Sequence, residues 1–472
     1  MKKLKIIIIV LFAVTFGNVI AQESGITKNK PELSLTLIPP SPVTDKITLD
    51  IRAGVWNNSE TEKKVTVFFY LDKETPANVL HQQEISIPAR SSSCVKFRWP
   101  TRDKAGYHKI ILVTKTGKKT FRTERPMEIR ASAIRSTKQI DGAWINFYHW
   151  SEAEGQYWNP AIKTLTDSQW SELMHAQHSI EMNVIVIQEV YKNQMYAGKH
   201  TIEKDGYHGL AFYPSDLFPG RVPLTAVDPV EAVFTAADKD GMNVFMAVGM
   251  YAWFDFTKGS LEWHKKLADE LWQKYGHHPS FYGWYISEEQ EGSLGNEQDR
   301  KDIVEFFKSF SDYVHQYAPD KPIMLATNAH GLRGAEDTYR KLLPNLDILC
   351  PFAFHRMPAG DLTGEQAAQK LQDLCNEAGS HLWMDMEVFD FFGPDNALVP
   401  RPIEGLLSDL HRFPIFEKIL CYQYPGLLNS PSMSIKPGGE NTVKLYLDYK
   451  KYLDSMKAPA KKTKKAAAVH SK

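Results

Sequence analysis

The stretch His381-Leu382-Trp383-Met384-Asp385-Met386-Glu387 sets two carboxylates two residues apart among apolar neighbours. In an extended strand alternate side chains point to opposite faces, so Leu382, Met384 and Met386 share one face and Asp385 with Glu387 the other. Solubility does not explain an acidic pair facing inwards on an otherwise apolar strand. A second stretch, Phe281-Tyr282-Gly283-Trp284-Tyr285-Ile286-Ser287-Glu288-Glu289, ends in two acids. If Tyr282, Trp284 and Ile286 face outwards, then Gly283, Tyr285, Ser287 and Glu289 face inwards and Glu288 is turned away or solvated. Cleavage of a glycosidic bond needs one acid to protonate the leaving oxygen and a second carboxylate across the bond. Glu289 and Glu387 are the residues placed for those roles. The plainer alternative is that one or both are ion-paired to a rim Arg or Lys.

Such a pair must be held by a scaffold, and the chain beyond residue 139 supplies one. A rhythm of strand, loop and amphipathic helix runs through it, with strands expected at 143–148, 183–188, 243–249, 281–286, 323–327, 347–351, 382–387 and 419–424. Helical segments fall between them, for example at 167–179, 229–239, 261–275, 298–317 and 364–378. This is the α/β pattern of a (β/α)8 TIM barrel, spanning residues 139–455, whose catalytic side chains come from the carboxyl ends of the strands. An open doubly wound sheet is the rival, but no glycine fingerprint follows the first strand. Strand ends then offer Asn146, Tyr148, Trp150, Gln188, Glu189, Tyr251, Trp253, Tyr285, Asn328, His355, Asp385 and Gln423 for substrate binding. Amides and imidazoles exchange hydrogen bonds with hydroxyls, and aromatic faces suit sugar C–H groups. Each alone is more often structural; their gathering at strand ends is the signal.

Ahead of the barrel, residues 32–130 have period two, as in Leu33, Leu35 and Leu37 or Val65, Val67, Phe69 and Leu71. Turns such as Asn57-Asn58-Ser59 separate short strands, the pattern of a small all-β immunoglobulin-like sandwich. It holds no catalytic constellation and reads as a spacer or packing module. Lys2, Lys3 and Lys5 precede an apolar run from Ile6 to Phe16, and Val19-Ile20-Ala21 offers a cleavage point. That is a signal peptide over residues 1–21, since the run is too short to cross ~30 Å of hydrocarbon. The expected location is periplasmic or extracellular, with no membrane insertion after cleavage. Residues 456–472 read as a disordered basic tail.

Charge and cysteines narrow the classes further. Lys and Arg total 56 and Asp and Glu total 56, so no surplus charge attracts nucleic acid. The four cysteines are far apart in apolar surroundings and read as free thiols rather than a disulfide framework. No spacing demands a metal or cofactor, so none is expected; the expected partner is a carbohydrate.

Roughly residues 139–454 resemble an uncharacterised glycoside-hydrolase-like family frequent in gut and environmental Bacteroidetes. The resemblance rests on Phe281-Tyr282-Gly283-Trp284-Tyr285-Ile286 with an acid shortly after, and on Trp383-Met384-Asp385-Met386-Glu387-Val388-Phe389. The Gly241-Met242-Asn243-Val244 lead-in and Tyr213-Pro214-Ser215 are also similar. It implies a barrel of the clan A kind, with the acid/base after strand four and the nucleophile ending strand seven, hence Glu289 and Glu387. The Asn-Glu pair usual to that clan on strand four is here Glu288-Glu289. The alternative is a non-catalytic glycan-binding barrel of a polysaccharide-utilisation system; a scaffold whose sandwich contacts a partner protein is a third reading.

Overall fold

The computed structural model describes residues 32–192, 210–218, 220–249 and 255–457. The leader, Tyr251, Trp253 and the tail beyond Lys457 lie outside the described residues.

The period-two region forms two sheets packed face to face. The first joins Leu33–Ile38, Thr48–Trp56 and Ser92–Pro100; the second runs in the order Val43–Thr44, Lys119–Arg130, Gly106–Thr116, Lys63–Leu71, Val79–Ile87. Alternation decides the core: Leu35, Leu37, Leu49 and Ile51 from one sheet meet Val65, Val67, Phe69 and Leu112 from the other. The chain then enters a parallel sheet. Its strands are Gly142–Ile145, Val184–Ile187, Asn243–Val248, Phe281–Gln290, Ile323–Thr327, Ile348–Leu349, a seventh in two pieces (His381–Leu382 and Met384–Glu387), and Ile419–Tyr422. The first piece of the seventh pairs with the sixth strand and the second piece with the eighth, which pairs back onto the first. Trp383 bridges the two pieces, its amide donating to Leu349, so the sheet closes into a barrel.

Helices cover the outside where their caps place them. Thr166 and Thr363 each form a capping box, with Gln169 and Gln366, and start the helices Asp167–His178 and Gly364–Ala378. Outward strand residues such as Ile185, Trp284, Leu382, Met384 and Met386 pack under these helices. Trp144, Val184, Val186, Phe245, Tyr285, Met324, Ile348, Trp383 and Leu420 fill the lumen.

One expectation about the fourth strand needs correcting. Tyr282 faces inwards, in the luminal cluster, because a one-residue bulge stands between Phe281 and Gly283, opposite Val244 and Phe245. Beyond the bulge the alternation resumes as expected.

The sandwich is more than a spacer. Ile38 is fully buried within the luminal cluster and fills the barrel floor, while the Tyr282 hydroxyl donates to the Leu37 carbonyl at 2.7 Å. Arg52 donates to Asp50 at 2.6 Å and, across the join, to Asp347 at 2.5 Å. Lys418 donates to the Pro42 carbonyl and to Asp141 at 2.5 and 2.8 Å. A cavity of about 1110 Å³ lies along this join, at the end of the barrel remote from Glu387, with Tyr107, Arg125 and Tyr282 in its walls.

Arg52 is buried, so replacing it leaves Asp50 and Asp347 without the guanidinium that both accept from. Arg52→Ala is expected to lose about 3–5 kcal/mol in a denaturant titration. A loss under about 1 kcal/mol would mean the join bears no weight.

Candidate active site

The second piece of the seventh strand aims Asp385 and Glu387 at the open end of the lumen, and both are buried, at 5% and 3% exposure. Arg356, just after the sixth strand, donates from Nε and Nη2 to Glu387 Oε1 at 2.8 and 2.6 Å. His355 Nδ1 stands 3.1 Å from Oε2. Burial pushes the Glu387 carboxyl up, but His355 and Arg356 outweigh it and hold the group below its ordinary value. Among the described residues Asp385 has no such neighbour. Burial, then the charges of Glu387 and Glu289, push it well above the carboxylate range.

The fourth strand bulges again near its end: four steps from Ile286 to Gln290 match two from Leu325 to Thr327. Two extra residues keep the alternation, so Glu289 is partly exposed and faces the other acids, whereas Glu288 is fully buried on the outer side, 3.9 Å from His264. Burial, then the charges of Glu154 and Glu387, push Glu289 up to about 8. One of the two carboxyls is thus held protonated near neutral pH and the other ionised.

Two further acids complete the group. Glu189 is pushed well above its ordinary value by burial and by Glu289, and Glu154 to about 7 by burial. Glu154 lies in the loop after the first strand and was missed by sequence reasoning, since a single Glu in a polar loop carries no periodic signal. Arg356 is the rim arginine that the sequence alone left unspecified.

The other expected binding residues divide. Asn146, Gln188, Glu189, Asp385 and Gln423 are all buried, and each keeps at least one side-chain polar atom without a hydrogen-bond partner among the described residues. A buried polar atom left so costs stability and marks where a ligand's hydroxyls would be welcome. Trp150, stacked on His149 at 5.0 Å, and Asn328 are half-buried at the rim. Tyr148 is a correction. Its ring lies in the outer core under Lys163, 4.5 Å away, and its hydroxyl donates to Glu152. Tyr285 is a second, since it fills the lumen edge-on to Trp144 at 5.8 Å, beneath the acids. His355 stands at the mouth as the companion of Glu387 described above. Tyr213 and Ser215 of the Tyr-Pro-Ser stretch donate to Glu270 at 2.7 and 2.8 Å, pinning a loop to the helix Lys258–Tyr275. Among the described residues no group of acids, histidines or cysteines is arranged to hold a metal ion, and the four cysteines are unpaired.

Fold and site together define a parallel β/α barrel with a carboxylate-lined mouth and an all-β module on its floor. The chain belongs to the family described as a domain of unknown function, DUF4434, whose model matches residues 140–434. No curated protein matches it significantly in sequence. Among solved structures, a putative α-L-fucosidase from Bacteroides thetaiotaomicron is similar, with a TM-score of 0.51 at 16% identity over 67% of this chain and 93% of that one. A β-galacturonidase from Eisenbergiella tayi has a TM-score of 0.39 at 13% identity, over 90% and 72%. Bacteroides uniformis β-glucuronidase 2 has 0.36 at 14%, over 84% of this chain and only 46% of that one. At these identities the first likeness speaks for the barrel fold.

The raised Glu289 carboxyl has a thermodynamic signature. A carboxyl whose folded pKa lies above its unfolded value of about 4.3 stabilises the fold below that pH and loses the contribution as pH rises towards 8. Glu289→Gln is therefore expected to gain stability over the wild type between pH 5 and 8, on the order of 1–3 kcal/mol after allowance for its partial exposure. Unfolding titrations across that range, parallel for the two proteins, would rule the shift out.

Proposed function

We propose that this protein is a glycoside hydrolase acting on an oligo- or polysaccharide, with Glu289 as acid/base and Glu387 as nucleophile. The observation that carries the reading is the opposite treatment of two acids at one barrel mouth. Glu289 keeps its proton through burial and like charge, and Glu387 is held as an anion by Arg356 and His355. In the first step Glu289 gives its proton to the glycosidic oxygen while Glu387 bonds to the anomeric carbon and the alcohol departs. In the second, Glu289 takes a proton from water, whose oxygen displaces Glu387 and regenerates both groups. Asn146, Gln188, Glu189, Asp385 and Gln423 would bind the sugar hydroxyls, and Trp150 and Asn328 the rim of the ligand. Tyr251 and Trp253 would join them. The fold likeness to a putative fucosidase supports a carbohydrate ligand by analogy alone.

The strand order of the sandwich supports an immunoglobulin-like module, and the lysine-led apolar start supports export. Among the described residues no helix is long and apolar enough to cross a membrane.

A second reading, a glycan-binding barrel without turnover, is favoured by one observation: Glu387 is only 3% exposed and clamped by a guanidinium. Reducing-end release from a polysaccharide panel separates the two. Hydrolysis is expected, with Glu289→Gln and Glu387→Gln each lowering kcat at least about 100-fold. Binding without release by the wild type would favour the second reading. The pH profile of kcat/KM should fall at its acid limb as Glu387 protonates, below its ordinary range, and at its basic limb near pH 8 as Glu289 ionises. Arg356→Met should move the acid limb upwards; a limb left in place would detach Glu387 from the chemistry.

A further inference from the structure

Immediately after Glu387 the chain forms a two-stranded hairpin, Phe389–Phe392 paired with Ala397–Pro400. The hairpin is tied to both sides of the mouth, once at its base and once near its turn. The Arg401 amide donates to the Val388 carbonyl at 2.9 Å, and the Leu398 amide to the Glu154 carbonyl at 3.0 Å. Arg401 Nη1 reaches the Glu387 carbonyl at 3.3 Å.

The side chains on this hairpin are out of keeping with its position. Phe391 is 51% exposed and Phe392 60%, and Tyr157, from the loop after the first strand, is 49% exposed. Scattered exposed aromatics need no explanation, but three brought to one protrusion beside a carboxylate mouth do. Phe391 is also continuous with the mouth. Tyr422, at the end of the eighth strand, meets Phe389 edge-on at 6.1 Å, and Phe389 meets Phe391 edge-on at 5.4 Å. On the other side of the hairpin Phe392 and Tyr157 share a groove of about 580 Å³ with Arg401, Asn441, Lys444 and Asp448. Flat apolar faces ringed by hydrogen-bonding groups match a pyranose, which has an apolar C–H face and a polar edge.

We infer that the hairpin and Tyr157 form a second sugar-binding surface, so that the glycan at the carboxylates runs outwards past Phe391 and on, around the hairpin, into the groove of Phe392 and Tyr157 on its other side. This rests on the glycan reading above and deepens it: the ligand is a chain of pyranose units, and sugars remote from the cleaved bond contribute to its binding. Phe391 and Phe392 are binding residues rather than catalytic ones, since neither reaches the acids.

Affinity electrophoresis tests this, using the full chain carrying Glu387→Gln to prevent turnover. The gels contain galactomannan, xyloglucan, arabinoxylan, pectic galactan or mucin. At least one polymer is expected to retard the protein, and adding Phe391→Ala with Phe392→Ala should weaken that retardation about tenfold in Kd. Tyr157→Ala should weaken it less. The melting temperature should not change, because the rings are exposed. Unchanged retardation in the double variant overturns the inference and leaves the glycan reading standing. Retardation by none of the polymers removes the glycan reading and the inference with it. Unchanged retardation together with lost self-association in sedimentation would reassign the face to a second copy of the chain.

Discussion

A parallel barrel closes only if its lumen is filled, and here one end is filled from outside the barrel. Ile38, from the first strand of the sandwich, sits among Trp144, Val184, Phe245 and Trp383 at the floor. Burying such a side chain contributes about 1.5–3 kcal/mol. The ion pairs around it are arranged so that no charge is stranded: Arg52 between Asp50 and Asp347, and Lys418 between Asp141 and the Pro42 carbonyl. With the floor sealed by another module, the opposite end is free for polar side chains. The acids occupy that end.

Within the mouth, unequal pairing does the sorting. Glu154, Glu189, Glu289, Asp385 and Glu387 influence one another's protonation, and the guanidinium of Arg356 is bonded to only one of them. The acid that Arg356 touches ionises, and the others are driven to keep their protons. No residue type distinguishes Glu289 from Glu387; their neighbours do. The bulge near the end of the fourth strand adds two residues, an even number, so the alternation is kept and Glu289 faces the mouth while Glu288 stays behind the wall beside His264.

Much of this was legible in the sequence, for identifiable reasons. Period two and the strand–helix rhythm gave the sandwich strands and the barrel strands, with the helix Gly364–Ala378 matched at both ends because Thr363 and Gly379 mark them. The inward parity of Asp385 and Glu387 followed from a clean alternation. The alternation failed at Tyr282, where a bulge slips the register, and at Tyr148, where the chain has already left the strand at Ile145. Parity cannot count past either event. Pairings between distant segments, such as Arg356 with Glu387 or Arg52 with Asp347, leave no local trace and emerge only when the chain is folded. Ile38 reads locally as one more sandwich residue; only the join shows that it belongs to the barrel.

The buried arginine at the join also restricts how the molecule can move. Rocking the all-β module against the barrel would draw Arg52 away from Asp347 and lift Ile38 from its seat, exposing charge and hydrocarbon at once. Clam-like closing of two halves about a ligand is therefore unavailable to this architecture. Any movement at the mouth has to be worked by short segments at the rim, on a frame that stays stiff.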